Sequence, residues 1–380
     1  MTSSDVTVTA VESKADFERF LRVSWRIYRE DPQWVPPLLM ERRDHLNPKK
    51  NPFFDFAEVA YWLAWRGGEV VGRISAQVNR AHLARHNDAS GHFGFLEAVD
   101  DPAVFAALLD AACGWLKARG LTRVLGPFSL SINDESGLLV EGFEQPPCVM
   151  MGHARPYYGP RLEEQGFQKA KDLLAYFFDA ANETPTAITR LIAKAGRSQS
   201  LVVRSLDNKR YREDLNTIMD IFNDAWADNW NFVPFSDAEI AYLAKNIRPL
   251  IDPRYVAIAE VDGKPAAMAI ALPNLNEAIA DLDGRLLPFG WAKLLWRLKV
   301  KTTKTVRLPL LGVRRQYHDS VLGAALAFSV IDAVRRHLIS RGVTAAELSW
   351  ILEDNSGVRQ VVESLNATVS KVYRIYERDL

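Results

Sequence analysis

The sequence predicts an α/β (α+β) protein built from two tandem copies of one fold. Each copy is expected to be a mixed, mostly antiparallel twisted sheet flanked by helices. Three observations predict this: the order of strand-like and helix-like segments recurs at an offset of about 200 residues, each copy contains a strong hairpin signal, and each contains a long amphipathic helix between two strands. The 380 residues are enough for two domains with real cores.

The bulk composition excludes several classes of protein. Lysine plus arginine and aspartate plus glutamate each number 47, so no overall field favours nucleic acid. Two cysteines, Cys113 and Cys148, are too few for a disulfide framework or a four-ligand zinc site. The polar first residues lack a signal-peptide core, and no run approaches the roughly 20 apolar residues of a membrane span. We therefore expect a cytoplasmic protein whose membrane contact, if any, is peripheral, at the inner face.

The first elements of each copy are an amphipathic helix and a hairpin. The helix patterns cover 17–28 and 215–226, and each is followed by a related segment, 31–36 and 229–234. The hairpin turns are Gly67-Gly68 and Asp262-Gly263, pairs that supply the positive φ of two-residue turns.

Each copy continues with a strand, a long helix and a second strand. The strands before the helix are 92–98 and 306–313, and those after it are 122–128 and 345–352. Apolar residues at helical spacing begin at Phe105 and Leu322, and Gly120 and Gly342 are C-cap signals. A shorter helix and a last strand, 167–178 and 369–376, close each copy.

The copies define the domain boundaries. Residues 1–180 form the N-terminal domain, 181–199 a connector with its own short helix, and 200–380 the C-terminal domain. The first copy carries an insertion at 129–155 and the second an insertion at 274–304. We expect the copies to have specialised where these insertions lie.

This element order, with a loop-to-helix junction after the fourth strand, resembles the GNAT acyltransferase superfamily in tandem. Several segments are similar to a bacterial group of tandem GNAT proteins that includes ceramide synthases: 93–97, 131–143, 156–158, 347–350 and 371–376. The resemblance implies a long-chain acyl-CoA as co-substrate, no metal, and the amine of a sphingoid base as acceptor. It implies direct attack of that amine on the thioester, without a covalent enzyme intermediate.

The junction between Val313 and Gly323 is the expected pyrophosphate site of the acyl-CoA. A helix N-terminus offers unpaired N–H groups and a partial positive charge. The predicted cofactor-binding residues are Leu311, Gly312, Val313, Arg314, Arg315, Tyr317, His318, Asp319, Ser320, Val321, Leu322, Gly323, Ala324 and Asn355. The superfamily's glycine-rich pattern falls on His318, Val321 and Gly323, and only Gly323 matches it well. An ordinary strand-to-helix turn is the alternative.

The corresponding loop of the first copy, 97–102, is acidic and lacks glycine. We therefore expect the N-terminal copy not to bind pyrophosphate.

Glu347 is the first candidate for the chemistry. Amide formation needs a group that takes a proton from the amine, and the resemblance places the fifth strand beside the substrate cleft. The alternative is a core-edge carboxylate paired with arginine. The superfamily's usual tyrosine acid is absent, because Val362 and Glu363 occupy its place after Asn355.

The first-copy insertion supplies the other catalytic candidates, Asn133, Glu135 and His153. They form or follow a compact polar cluster between apolar runs, which could equally be a solvated turn. His82, His86 and His92 lie near one another but lack a zinc motif, so we expect surface histidines.

The second-copy insertion contains an amphipathic segment at 286–301. One predicted helical face carries Leu287, Trp291, Leu294, Leu295 and Leu298, with lysines and Arg297 around it. Such a segment suits a lipid headgroup interface or a cover for an acyl chain, and a helix packed on its own domain is the alternative.

The leading reading is an N-acyltransferase for long-chain acyl-CoA and a lipid-like amine. Two alternatives remain open from the sequence: an acetyl- or aminoacyl-transferase for a small polar amine, and a non-catalytic acyl-CoA or lipid-binding protein. The degenerate glycine pattern and the missing tyrosine keep the last one open.

Overall fold

The computed structural model describes residues 5–198, 201–248 and 251–380. The chain divides into two compact units. Unit 1 comprises Met1–Leu173, Ile279–Leu287 and Lys371–Leu380, and unit 2 comprises Leu174–Ala278 and Pro288–Ser370. The expected fold class is confirmed, since each unit contains a mixed sheet flanked by helices.

Unit 1 begins with a short edge strand and an amphipathic helix. Its elements are β1 Thr7–Ala10, α1 Lys14–Ile27, α2 Leu39–His45, β2 Ala57–Arg66, β3 Glu69–Asn79, α3 Arg80–His86, β4 Ser90–Ala98, α4 Pro102–Lys117, β5 Arg123–Gly126, β6 Phe128–Ser129, β7 Glu135–Ser136, β8 Leu138–Glu141 and α5 Tyr158–Glu164. The chain then continues into β9 Gln168–Asp179, whose residues belong to both units.

Unit 2 repeats this plan. Its elements are α6 Thr186–Ser198, β10 Leu201–Ser205, α7 Tyr211–Ala225, α8 Asp237–Ile247, β11 Val256–Val261, β12 Lys264–Pro273, α9 Leu275–Ile279, α10 Gly290–Trp296, β13 Thr305–Val313, α11 Val321–Ser340, β14 Ala345–Leu352, α12 Ser356–Glu363 and β15 Thr368–Asp379. Ile279 of α9 and residues 371–379 of β15 belong to unit 1.

The strand order within each unit is simple. In unit 1 it is β1-β2-β3-β4-β5-β15, with β8 also pairing β15, and in unit 2 it is β9-β14-β13-β12-β11-β10. The pairings are antiparallel at both hairpins, and parallel between β4 and β5 and between β13 and β14. Both parallel pairs are linked by the long helix of their unit, α4 or α11, as a parallel crossover requires.

The local sequence explains where the main elements begin and turn. Gly67 and Gly68 have φ of 58° and 82°, and Asp262 and Gly263 have φ of 50° and 74°, so both predicted hairpin turns are confirmed. Asp101 caps α4 by accepting a hydrogen bond from the backbone N–H of Ala103.

The core of each unit lies where its helices cover the sheet. In unit 1, Phe20, Leu63 and Phe95 belong to one buried cluster between α1 and the sheet. In unit 2, Phe328 and Ile331 of α11 pack with Leu348 of β14 and Val362 of α12. The parallel strands of each unit are therefore held in place by a buried helix face.

Candidate active site

A cleft in unit 2 begins where two parallel strands separate. β13 and β14 pair from Thr305 with Ala345 to Leu308 with Leu348. Beyond these pairs β13 continues to Val313 against β12, while β14 continues to Leu352. The strand edges that face each other after Leu308 and Leu348 therefore lack a ladder between them, which leaves backbone groups available to a ligand.

The cleft has an empty volume of about 480 Å³ and a mostly apolar lining. The lining residues are Trp226, Asn229, Leu308, Pro309, Leu311, Leu348, Ser349, Trp350, Ile351, Leu352, Asn355, Val358 and Val362. Asn355 also caps α12, because its side-chain oxygen accepts a hydrogen bond from the N–H of Val358 at 3.1 Å. An apolar cleft with a few polar groups is the usual form of a small-molecule site.

The predicted junction leads from β13 into the first turn of α11. The hydroxyl of Ser320 accepts a hydrogen bond from the N–H of Gly323 at 3.0 Å and donates one to the carbonyl of Tyr317 at 2.6 Å. A Cβ at position 323 would lie 2.0 Å from the Tyr317 oxygen, so glycine is required there. Val321 and Leu322 are first-turn residues, whose N–H groups have no intrahelical acceptor.

The two arginines of the junction are engaged by acidic residues of α7 and the turn after it. Arg314 pairs with Asp220 and also donates to the carbonyl of Pro265. Arg315 pairs with Asp224 and Asp228, at 3.4 Å and 3.2 Å. These partners fix the loop on unit 2, and they also reduce the positive charge that either arginine could offer to a phosphate.

The remaining loop residues follow the arginines in a tight turn. The imidazole Nε2 of His318 lies 2.8 Å from the carbonyl of Val313, and Asp319 adopts a φ of 53°. Leu311 and Gly312 are ordinary strand residues that pair with Ala269 and Met268. Ala324 is bound within the helix start through its N–H to Ser320. The predicted cofactor residues from 311 to 324 therefore form one continuous strand-to-helix junction.

Glu347 lies in the last part of the paired ladder, opposite Arg307. It accepts a hydrogen bond from the Ser349 hydroxyl at 2.8 Å, and that hydroxyl accepts one from Nε of the buried Arg307 at 3.0 Å. Arg307 also donates to the Ser349 carbonyl at 3.2 Å. The half-buried carboxylate is thus oriented by a serine and an arginine next to the place where the cleft begins.

The other three catalytic candidates lie in unit 1. Glu135 pairs with Arg42; burial alone would raise the pKa of this carboxyl, but Arg42 outweighs it and holds the pKa below its usual value. Nε2 of His153 lies 3.0 Å from Asp31, and burial lowers the pKa of His153 despite that carboxylate. The N–H of Asn133 donates to the Ser131 hydroxyl. Each candidate is thus held by protein partners of its own.

Sequence reasoning missed several residues of the site. Arg307 and Ser349 orient Glu347, and a signal for Ser349 was its spacing of two residues from Glu347, which puts both on one strand face. Trp226 lines the cleft and packs against Trp350, with ring centroids 5.7 Å apart. No periodic signal predicts such a pair, because it joins α7 to β14 through the tertiary fold.

A tyrosine does approach α12, but from another element than expected. The hydroxyl of Tyr176 on β9 donates a hydrogen bond to Glu363 at 2.7 Å and accepts one from Arg359 at 3.1 Å. Burial and the Glu363 carboxylate raise the pKa of Tyr176. Position 362, where the superfamily's tyrosine would stand, is a buried valine in the cleft wall.

The expectation of surface histidines is wrong for His82 and His92, which are both buried. The ring of His82 lies 4.6 Å from that of His86 and 4.8 Å from that of His92. Burial holds the pKa of His92 well below its usual value, and the neighbouring His82 adds to this effect. Helix α3, which the sequence did not predict, carries two of these rings under the sheet edge.

Other chemistries find little support among the described residues. Both cysteines are buried, and burial raises the pKa of the Cys113 thiol, which disfavours the thiolate. In the part of the chain that the structure describes, no group of three or more His, Cys, Asp or Glu side chains is arranged to hold a metal ion. Across the same residues, no helix has both the length and the apolar character of a bilayer span.

Comparison with solved structures defines the class of protein. A tandem GNAT protein from the clavulanic acid biosynthesis pathway superposes with a TM-score of 0.55 at 12% identity, covering 99% of this chain and 98% of its own. The described architecture is therefore a tandem GNAT (GCN5-related N-acetyltransferase) fold, as the sequence predicted. No known family profile matches the chain.

Full-length relatives define the family. The bacterial ceramide synthase of Caulobacter vibrioides is 48% identical over 380 residues, covering 100% of this chain and 99% of the relative. Protein YghO of Escherichia coli is 43% identical over 368 residues, covering 97% of this chain and 94% of that protein. The chain belongs to the bacterial ceramide synthase family. The expected enzyme class, an N-acyltransferase, is confirmed, and this class implies acyl-CoA as co-substrate.

Proposed function

We propose that the chain transfers a long-chain acyl group from acyl-CoA to the amine of a sphingoid base. The observation that carries the proposal is the apolar cleft that begins where β13 and β14 separate, in a chain 48% identical to a bacterial ceramide synthase. The amine attacks the thioester carbon, the C–N bond forms and the C–S bond breaks. One proton leaves the amine, and coenzyme A departs as its thiol.

Glu347 is the proposed proton acceptor. Its support is its position in the ladder beside the cleft and its orientation by Ser349 and Arg307. A carboxylate fixed in this way can take the amine's proton directly or through one water. Ser349 and Arg307 do not transfer the acyl group in this scheme; they are positioning residues.

The junction from Val313 to Gly323 is the proposed place of the coenzyme's pyrophosphate. The first-turn N–H groups of α11 are the main donors in this proposal, since Arg314 and Arg315 are engaged by aspartates of unit 2. The N–H of Gly323 is already bound by Ser320, so Val321 and Leu322 are left as the strongest donors of that turn.

A release assay for the coenzyme thiol tests the proposed reaction. The purified chain is given acetyl-, octanoyl- and palmitoyl-CoA, each with a sphingoid base or with a small polar amine such as glucosamine. We expect amine-dependent thiol release with palmitoyl-CoA and the sphingoid base, and at least tenfold less with acetyl-CoA or the polar amine. Preferential turnover of acetyl-CoA with the polar amine would contradict the proposal.

The amphipathic segment of residues 289–300 is the proposed membrane contact. Phe289, Trp291, Trp296 and Val300 are 78%, 50%, 53% and 67% exposed. Leu294 and Leu298, predicted on the same face as Trp291, are half-buried instead, and Arg297 donates to the carbonyl of Ala278 at 2.7 Å. One side of the segment is thus fixed to unit 2 while its aromatic side meets solvent, which suits insertion into a headgroup layer.

Replacing Trp291 and Leu295 with serine should weaken binding to liposomes and long-chain turnover together. Both side chains are largely exposed, so the fold should be retained. Co-sedimentation with liposomes measures binding, and circular dichroism checks the fold. A matched control replaces Ile339, which is 40% exposed on α11, with serine. Unchanged binding and turnover in the double variant would remove the argument for membrane contact.

A further inference from the structure

A second cavity of unit 2 lies at the far end of α11 from the strand-to-helix junction. It has a volume of about 460 Å³ and is lined by 251–255, Pro273, Leu298, Lys299, Thr302, Thr303 and Arg341. Arg341 follows the last residue of α11, and the junction precedes the first. A 20-residue helix is about 30 Å long, so the cavity is separate from the proposed coenzyme site.

The charges around the cavity favour an anion. Arg254 pairs with Asp252 through Nε and Nη2, at 3.1 Å and 2.9 Å, and these two charges cancel. Among the described residues, no carboxylate pairs with Lys299 or Arg341, which leaves two positive charges at the rim. Arg341 is held by contacts of its Nη2 with the Thr302 hydroxyl at 3.1 Å and the Lys299 carbonyl at 3.5 Å.

Thr303 provides an independent sign of a ligand. Its side chain is 97% buried in the cavity wall, and its hydroxyl has no hydrogen-bond partner in the protein. A buried hydroxyl without a partner is costly, and most such groups in native proteins meet a water, an ion or a ligand. A donor of this kind beside two cationic side chains matches the oxygens of a phosphate group.

The cavity is continuous with the exposed apolar segment. Leu298 and Lys299 belong to the helical turn 297–301 that follows α10, and the same turn carries the exposed Val300. Trp296 precedes it and is also exposed. A molecule with its phosphate in the cavity would therefore have apolar side chains next to its remaining parts, as a phospholipid requires.

We infer that this cavity binds the phosphate of an anionic phospholipid headgroup, held by Lys299, Arg341 and the Thr303 hydroxyl. The inference depends on the proposed membrane contact for the source of the phosphate. It does not depend on the acyl-transfer reaction.

Two variants and one matched control test the site. Thr303→Val removes the hydroxyl with little change of shape, and because that hydroxyl has no protein partner, the melting temperature should not fall. Arg341→Met removes one cavity charge. Lys301→Met removes an equal charge from the same turn but outside the cavity lining, so it reports non-specific attraction to the membrane.

Binding is measured with vesicles of phosphatidylcholine alone and with a fifth of phosphatidylglycerol, and separately with soluble glycerol 3-phosphate. We expect phosphatidylglycerol-dependent affinity to fall about tenfold in Thr303→Val and Arg341→Met, and less than threefold in Lys301→Met. Equal effects of all three variants would overturn the site. Saturable glycerol 3-phosphate binding that only the cavity variants lose, with unchanged vesicle binding, would overturn the lipid as its source.

The thiol-release assay in detergent separates this inference from the proposed reaction. There, without vesicles, both cavity variants should turn over palmitoyl-CoA as the unaltered chain does. A loss of turnover by Thr303→Val in detergent would contradict a headgroup role for the cavity. An inactive unaltered chain that still binds the anionic vesicles would reject the reaction and leave the phosphate site supported.

Discussion

The strand-to-helix junctions of the two units share one geometry and differ in charge. In unit 1, α4 is capped by the carboxylate of Asp101, which also pairs with Arg66, and Pro102 occupies the first helical position. In unit 2, α11 is capped by the neutral hydroxyl of Ser320. A carboxylate repels an anion at the helix start, while a hydroxyl leaves the helix dipole available. The difference favours unit 2 as the nucleotide-binding copy.

The space between the separated strands also differs. In unit 1, β4 and β5 pair only from Ser90 with Arg123 to His92 with Leu125, and the chain then fills the space with the buried Phe128 and Leu130. The amide of Gln77 donates to the carbonyls of both residues, at 2.5 Å and 3.2 Å. In unit 2 the corresponding space is the cleft. One copy has closed with its own side chains the place that the other leaves open.

The largest expected effect separates the catalytic candidates of the two units. Glu347→Gln should lower kcat about 100- to 1,000-fold with the KM for acyl-CoA nearly unchanged, because it removes the proton acceptor without changing the fold. Glu135→Gln should instead lower stability, by about 2 kcal/mol, since it leaves Arg42 without its main partner. Steady-state kinetics and chemical denaturation measure both effects. Turnover lost in Glu135→Gln at full stability would move the chemistry to unit 1.

A second prediction concerns the close approach at Gly323. Gly323→Ala puts a Cβ against the Tyr317 carbonyl, so the first turn of α11 must shift, and the KM for acyl-CoA should rise roughly 100-fold. The control is Gly114→Ala in α4, where a Cβ meets nothing within 4 Å and the helix should gain up to about 1 kcal/mol. Tight acyl-CoA binding by Gly323→Ala would mean that the coenzyme does not use this turn.

Exchanging the two helix caps sharpens the charge comparison. Ser320→Asp keeps a good N-cap but adds the negative charge found in unit 1, so the KM for acyl-CoA should rise about tenfold with little loss of stability. The effect should shrink as salt is raised from low to physiological concentration. The reciprocal Asp101→Ser should leave that KM unchanged. A rise in KM only for Asp101→Ser would reverse the roles of the units.

The smallest expected effect is a pH dependence of stability that originates in unit 1. The folded-state pKa of His92 is lowered by burial, so below pH 6.5 the unfolded chain binds a proton that the folded chain excludes. Stability should thus fall by about 2 kcal/mol between pH 7 and pH 5 on this account, with a smaller share from His82. His92→Leu should reduce that slope in urea titrations, while His318→Gln, which changes an exposed residue of unit 2, should not. An unchanged slope in His92→Leu would show that the ring is accessible to protons.

Much of the fold was predictable because its signals are local. Gly67-Gly68 and Asp262-Gly263 define both hairpins, and apolar periodicity defines α4 and α11. Strand β1 was missed because its residues are mostly exposed and its identity depends on pairing with β2. Helix α8 begins with a capping box at Ser236 and Glu239, a signal that sequence reasoning overlooked.

The site was less predictable because its contacts are distant in sequence. Arg315 meets Asp224, 91 residues earlier, and no local pattern reveals that its charge is engaged. The burial of His82 and His92 likewise depends on how α3 packs beside β4. Glu347 was identifiable as a strand carboxylate, but its orientation by Arg307 and Ser349 needs the register of β13 and β14.

The final strand has a consequence for biogenesis. Residues 376–379 of β15 pair with β5 in unit 1, and Arg123 bonds Glu377, 254 residues further on. The amino-terminal sheet therefore stays incomplete on the ribosome until nearly the whole polypeptide has been translated. Such distant pairing slows folding, and the waiting edge of β5 is exposed to wrong partners meanwhile. Nascent chains stalled before residue 371 should accordingly be captured by chaperones and cut readily by proteases.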